Sequence, residues 1–185
     1  MKKFLLFAVC FICSSIAFAQ ISADKVEEDG SRWILTENSN LYTGWTNAAA
    51  FNLSYTLKVN GEETYEITLC LNEGKMQFEE GRELLIKFKD DSMMELKNNK
   101  KVGPTDYKYQ TSRTGTSYFT FPHYSITEEE IQKIIDGEVV KIRIENDIEY
   151  FDRDIKKNKF SKAMKNAYEA IKAKKETKND VYEGF

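Results

Sequence analysis

The sequence predicts a mainly β fold of the α+β class. It is an antiparallel β-sandwich or half-open barrel of about eight to ten strands, with one short helix and a C-terminal amphipathic helix packed on the sheet. Three observations predict it. Apolar and polar residues alternate on both sides of Asn60-Gly61. The same alternation recurs across two later turn-like segments. Between Ile155 and Lys174 the apolar residues fall instead at spacings of three and four.

The first nineteen residues stand apart from that fold. Lys2 and Lys3 precede an uncharged, mostly apolar run from Phe4 to Ile16, and Ala17-Phe18-Ala19 has the small-x-small form that signal peptidase cuts. Residues 1–19 therefore read as a cleaved secretory signal peptide of bacterial type. The run is too short to be a permanent membrane anchor. The expected location is periplasmic or extracellular, and no transmembrane segment is expected after cleavage. Cys10 and Cys13 leave with the signal, so Cys70 remains without an intramolecular disulfide partner. It reads as a small, partly buried strand residue.

The polar stretch 20–30, containing Glu27-Glu28-Asp29-Gly30, reads as a flexible lead. Residues 31–178 form one β-rich domain, and 179–185 a tail. Two short strand candidates come first, Arg32 to Glu37 and Leu41 to Thr46, and they contain both tryptophans.

The clearest element is a hairpin. Phe51, Leu53, Tyr55, Leu57 and Val59 alternate with polar residues, and so do Tyr65, Ile67, Leu69 and Leu71. Period two gives each strand one buried face. A two-residue Asn60-Gly61 loop would put the two apolar sets on opposite faces. A three-residue Val59-Asn60-Gly61 loop pairs Tyr55 with Tyr65 and Leu53 with Ile67, with Gly61 left-handed beside a bulge. By the same parity, Leu84, Ile86 and Phe88 face Met94 and Leu96 across Asp90-Asp91-Ser92. Likewise, Val140, Ile142 and Ile144 face Ile148 and Tyr150 across Glu145-Asn146-Asp147. Tyr- and Thr-rich strands are expected near Tyr107 to Ser112 and Ser117 to His123.

Two helices follow from different signals. Thr127 with Glu130 is a capping box, Ile126 with Ile131 a hydrophobic staple, and Gly137 a stop. The second helix, 155–174, carries Phe160, Ala163, Met164, Ala167, Tyr168 and Ile171 on one side. Lys162, Lys165, Glu169 and Lys172 occupy the other side. Such a helix needs a sheet to dock on. A closed, lipocalin-like barrel with the same helix is the alternative architecture.

The composition excludes several chemistries. A single histidine, His123, rules out any motif that needs two. No Gly-rich phosphate loop or Gly-x-Ser-x-Gly elbow is present. The acidic cluster Asp147, Glu149, Asp152 and Asp154 lacks calcium-loop spacing and reads as a solvated hairpin edge. No catalytic residue, metal ligand or cofactor is assigned.

Two binding surfaces are expected instead. The outward set Asn52, Ser54, Thr56 and Thr68, with Trp33, Tyr42 and Trp45 nearby, combines hydroxyl and amide groups with aromatic platforms, as a glycan or small-ligand surface does. The second surface follows from charge. Residues 20–152 carry 15 basic and 25 acidic side chains, whereas 153–178 carry 10 basic and 3 acidic. Lys156, Lys157, Lys159, Lys162 and Lys165 are the expected patch for an anionic partner. An exported, net acidic chain is not expected to bind nucleic acid. The function expected is a non-catalytic binding or interaction domain of the bacterial envelope. A glycan or small-ligand module using a sheet face or barrel mouth is one alternative. A hydrolase whose carboxylate pair meets only on folding is another.

Overall fold

Alternating apolar residues from both larger sheets reach a common core in a computed structural model that describes residues 20–44, 47–103, 108–112 and 115–177. The strands are β1 (Ile21–Val26), β2 (Arg32–Thr36), β3 (Ser39–Thr43), β4 (Ala48–Leu57), β5 (Glu63–Asn72), β6 (Glu83–Phe88), β7 (Met93–Lys97), β8 (Lys108–Ser112), β9 (Gly115–Phe119), β10 (His123–Ile126), β11 (Val139–Glu145) and β12 (Tyr150–Asp154). The helices are α1 (Glu128–Asp136) and α2 (Lys159–Glu176).

A six-stranded antiparallel sheet runs β1-β2-β4-β5-β10, with β3 sharing the β2 edge of β4. The ladder breaks between β2 and β3. There the buried Thr36 Oγ1 accepts the Leu53 N–H at 3.0 Å, so the strand keeps its hydrogen bond. A four-stranded sheet runs β12-β11-β6-β7, and β8 pairs with β9. The two larger sheets meet at an Asn98–Tyr124 bridge. The strands do not close into a barrel; the arrangement is a β-sandwich with a C-terminal helix. Among the described residues, no helix is long and apolar enough to cross a membrane.

One core joins the layers. Leu53 and Ile67 from the larger sheet, Ile86 and Ile142 from the smaller, Ile131 and Ile134 from α1, and Phe160, Met164 and Ile171 from α2 are all fully buried. Each contributes about 1.5–3 kcal/mol relative to exposure. This stripe, rather than helix propensity, holds α2 in place. The Phe160 ring meets Phe51 edge-on at 5.0 Å.

The register of β4 and β5 is the predicted one, Leu53 opposite Ile67 and Tyr55 opposite Tyr65, and Gly61 has φ +84. The same turn occurs three times. Gly61 N–H donates to Lys58 O, Gly30 N–H to Glu27 O, and Asp91 N–H to Phe88 O. Gly30 and Asp91 are also left-handed, at φ +86 and +65. In each turn the preceding Asp or Asn side chain accepts the N–H two residues on: Asp29 from Ser31, Asn60 from Glu62, and Asp90 from Ser92.

Four expectations are corrected. Residues 21–26 are not a flexible lead but β1, paired along β2. The β11–β12 turn has one more residue than expected. Asn146 Oδ1 captures the N–H groups of both Ile148 and Glu149, so Ile144 pairs with Phe151 and Glu145 with Tyr150. Ile148, expected to face the core, is 91% exposed. The second helix begins at Lys159, because Lys157 and Asn158 are both left-handed and Ile155 N–H still bonds to Val140 O. The β6–β7 turn is Lys89-Asp90-Asp91 rather than Asp90-Asp91-Ser92, because Phe88 N–H bonds to Ser92 O and Ile86 pairs with Met94. Gly137 ends α1 as expected, at φ −80. Its constraint is contact, since a Cβ there would lie 2.5 Å from the Phe88 ring and 2.9 Å from Lys133 O. The Thr127–Glu130 capping box is present in both directions. Residues 1–19 and 179–185 lie outside the described residues.

Candidate functional site

The outward face of the larger sheet carries its residues in rows set by the register. Trp33 lies beside Lys25 and Thr56, Ser54 beside Leu35 and Glu66, and Thr68 beside Asn52 and His123. The structure thus brings Trp33, Asn52, Ser54, Thr56 and Thr68 onto one face. It does not leave all of them available. Ser54 and Thr68 are buried, small residues lying beside larger neighbours, and both hydroxyls are within bonding reach of protein groups. Asn52 Nδ2 donates to Asn38 Oδ1 at 3.1 Å.

The centre of the face is a self-contained polar cluster. His123 Nδ1 lies 2.7 Å from Glu66 Oε1 and 3.1 Å from Thr68 Oγ1. Asn99 Nδ2 donates to Glu66 Oε2 and to Ser125 Oγ, each at 2.9 Å. Burial works to raise the Glu66 carboxyl, but the hydrogen bonds from His123 and Asn99 outweigh it and hold the group below its ordinary value. Thr68 and Glu66 reach the same imidazole nitrogen. A nucleophile–histidine–carboxylate relay needs them on opposite nitrogens, so this cluster is not one.

The open part of the face lies at one end. A cleft of about 750 Å³ is lined by Glu27, Asp29, Ser31, Trp33, Thr56, Lys58, Val59 and Asn60. The β1–β2 and β4–β5 turns form its two banks, and both use the repeated turn described above. Its size is in the range of ligand clefts, roughly 300–1,000 Å³. Trp33 and Val59 supply apolar surface; Ser31, Thr56 and Asn60 supply hydroxyl and amide groups. Hydrogen bonds from Ser31 keep the Asp29 carboxyl below its ordinary value, so it is a ready acceptor. Of the residues expected from sequence, this cleft gathers Trp33 and Thr56. Sequence reasoning missed Glu27, Asp29, Ser31 and Asn60, although Asp29-Gly30-Ser31 repeats the pattern of Asn60-Gly61-Glu62.

Tyr42 lies elsewhere. Its hydroxyl donates to Glu73, and burial together with that carboxylate raises its pKa. It lines a second cleft of about 330 Å³ with Leu41, Thr43, Gly44, Asn47, Arg153, Asp154, Lys156 and Lys159. Lys157, Lys162 and Lys165 are exposed but do not line it. Trp45 lies outside the described residues. Among the described residues, no three His, Cys, Asp or Glu side chains are grouped to hold a metal ion. Comparison with protein-family models, curated proteins and solved structures finds no match to this chain.

Proposed function

We propose that the chain is an exported, non-catalytic binding domain of the bacterial envelope, and that the cleft over Trp33 receives a glycan. One observation carries this reading. The cleft at one end of a largely polar sheet face has an indole wall among hydroxyl, amide and carboxylate groups. A sugar ring offers C–H faces to an aromatic wall and hydroxyls to polar neighbours, and such a mixed site satisfies both. The signal-like N-terminus supports export.

The hydrolase alternative is less well supported. Glu27 and Asp29 both line the cleft, but a glycosidase acid must hold its proton near neutral pH. Among the described residues, every carboxyl with a displaced pKa is displaced downward. Such groups accept hydrogen bonds and do not protonate a leaving group.

Calorimetric titration against a broad panel of bacterial cell-surface glycan fragments tests the reading. Saturable binding is expected, and Trp33→Ala should weaken it by about tenfold while circular dichroism stays unchanged. A panel without saturable binding, or a folded Trp33→Ala variant that binds as the parent does, refutes it.

A further inference from the structure

The basic C-terminal segment divides into a paired half and an unpaired half. Lys174 lies 3.4 Å from Asp24, and Lys175 lies 2.6 Å from Glu63 with its ammonium over the Tyr55 ring. Lys165 lies 3.8 Å from Glu169. The first two charges are absorbed by the acidic body and the third within α2 itself. Lys156, Lys157, Lys159 and Lys162 are different: among the described residues, no carboxylate lies within ion-pair distance of any of them, and what sets Lys156 and Lys159 apart is their position. Both line the cleft that contains Tyr42.

The wall of that cleft is held rigidly. Arg153 grips Glu73 through two bonds of 3.0 and 2.6 Å and donates to Asp152 O at 2.8 Å. Its guanidinium also lies over the rings of Phe151 and Tyr42, at 4.9 and 5.7 Å. The Glu73 side chain is only 6% exposed, so the pair is fixed from below. Thr43 and Asn47 add a hydroxyl and an amide to the lining. Gly44 N–H donates to Asn47 O at 2.7 Å, and a Cβ on Gly44 would strike the Asn47 side chain. The one lining carboxylate, Asp154, is 76% exposed and sits 3.8 Å from Lys141.

We propose that this cleft is an oxyanion site that binds a phosphate group, with Lys156 and Lys159 as its charged contacts and Thr43 and Asn47 as neutral ones. Two ammonium groups left unpaired in a net acidic protein keep their charge for a ligand. The rigid Tyr42–Glu73–Arg153 wall lowers the ordering cost of binding. A phosphate has acceptor oxygens enough to use donors from several sides, and lysine serves it as a point charge. The site is independent of the Trp33 cleft. The two lie at opposite ends of the ten-residue β4, on the order of 30 Å apart.

The test is a 15N-correlation NMR titration with inorganic phosphate at constant ionic strength, with chloride as the balancing anion. Saturable shifts are expected in the backbone amides of Thr43, Gly44, Asn47, Lys156 and Lys159. Lys156→Gln/Lys159→Gln should weaken the affinity by about tenfold or more. Lys162→Gln/Lys165→Gln removes the same charge outside the cleft and should leave the affinity within about twofold. Co-sedimentation with phosphatidylglycerol vesicles separates the sources. Binding lost in the first variant and kept in the second assigns a lipid headgroup as a source of the phosphate; binding to free phosphate alone assigns a soluble ligand. If neither arm shows binding, or if both double variants lose it equally, the proposal is overturned.

Discussion

Substituting Gly61 probes the turn that builds one bank of the Trp33 cleft. Gly61 sits at φ +84, and an added Cβ would meet nothing within 4 Å. The cost of Gly61→Ala is therefore conformational, about 1–2 kcal/mol for an L-residue in the left-handed region. Gly61→Val should lie at or above the top of that range, because branching at Cβ resists positive φ. Gly30→Ala should cost about as much: its Cβ would lie 3.3 Å from the exposed Val59 side chain, which can give way. At the equivalent position in the β6–β7 turn, Asp91 already bears that strain at φ +65. Asp91→Gly relieves it but adds unfolded-state freedom worth about 0.5–1 kcal/mol, so its net effect should stay below about 1 kcal/mol. Urea denaturation with the m-value held constant measures all four. For a domain of this size, 1 kcal/mol corresponds to roughly 2–4 °C in Tm. Neutral Gly61→Ala and Gly30→Ala variants, or an Asp91→Gly loss as large as theirs, would refute the assignment of one shared left-handed position.

Gly137→Ala should also destabilise, by about 1–3 kcal/mol, but through overpacking against Phe88, since Gly137 has ordinary backbone angles. A Phe88→Leu background should recover part of that loss, which calorimetric melting of the double variant checks. The Glu66–His123 contact should appear in acid. The Glu66 carboxyl is held below its ordinary 4.5, so its contribution is complete above that value and is lost as pH falls through the lowered folded value. His123→Ala should therefore cost about 1 kcal/mol near neutrality and progressively less below pH 4.5, as read from urea midpoints across that range.

What the sequence carried most clearly was parity. Tyr55 opposite Tyr65 follows from period-two alternation and a turn of odd length, because a one-residue slip would put an apolar row in water. Parity also gave β6 and β7 their faces, but not their pairing: Ile86 lies opposite Met94, two residues from the register a turn at Asp90-Asp91-Ser92 would set. The α1 cap was equally legible, being a local exchange between Thr127 and Glu130. The β11–β12 hairpin was not. Its length depends on the Asn146 side chain capturing two backbone N–H groups, which apolar spacing does not record. β1 was missed for a related reason. Its residues are half-buried or exposed, so it has weak alternation, and it is secured by edge pairing and by Arg32 bonded to Asp24 at 3.0 Å through two nitrogens.

The candidate sites were half legible for a physical reason of their own. Pattern reasoning assigns a residue to a face, but a binding contact also needs that residue to stand clear of its neighbours. Ser54 and Thr68 are on the predicted face and yet are buried, because Leu35, Glu66, Asn52 and His123 stand beside them in the same rows and rise above a short hydroxyl. Openness returns only at the strand ends, where turns stand beyond the ladder. There Trp33 and Thr56 meet Ser31 and Asn60 at one end of β4, and Tyr42 meets Lys156 and Lys159 at the other. The second meeting joins residues more than 110 positions apart, which sequence reasoning had placed on two separate surfaces. A cleft that depends on a strand end and a helix start arriving together leaves no periodic trace. The fold therefore decided which of the residues of the right type became a site.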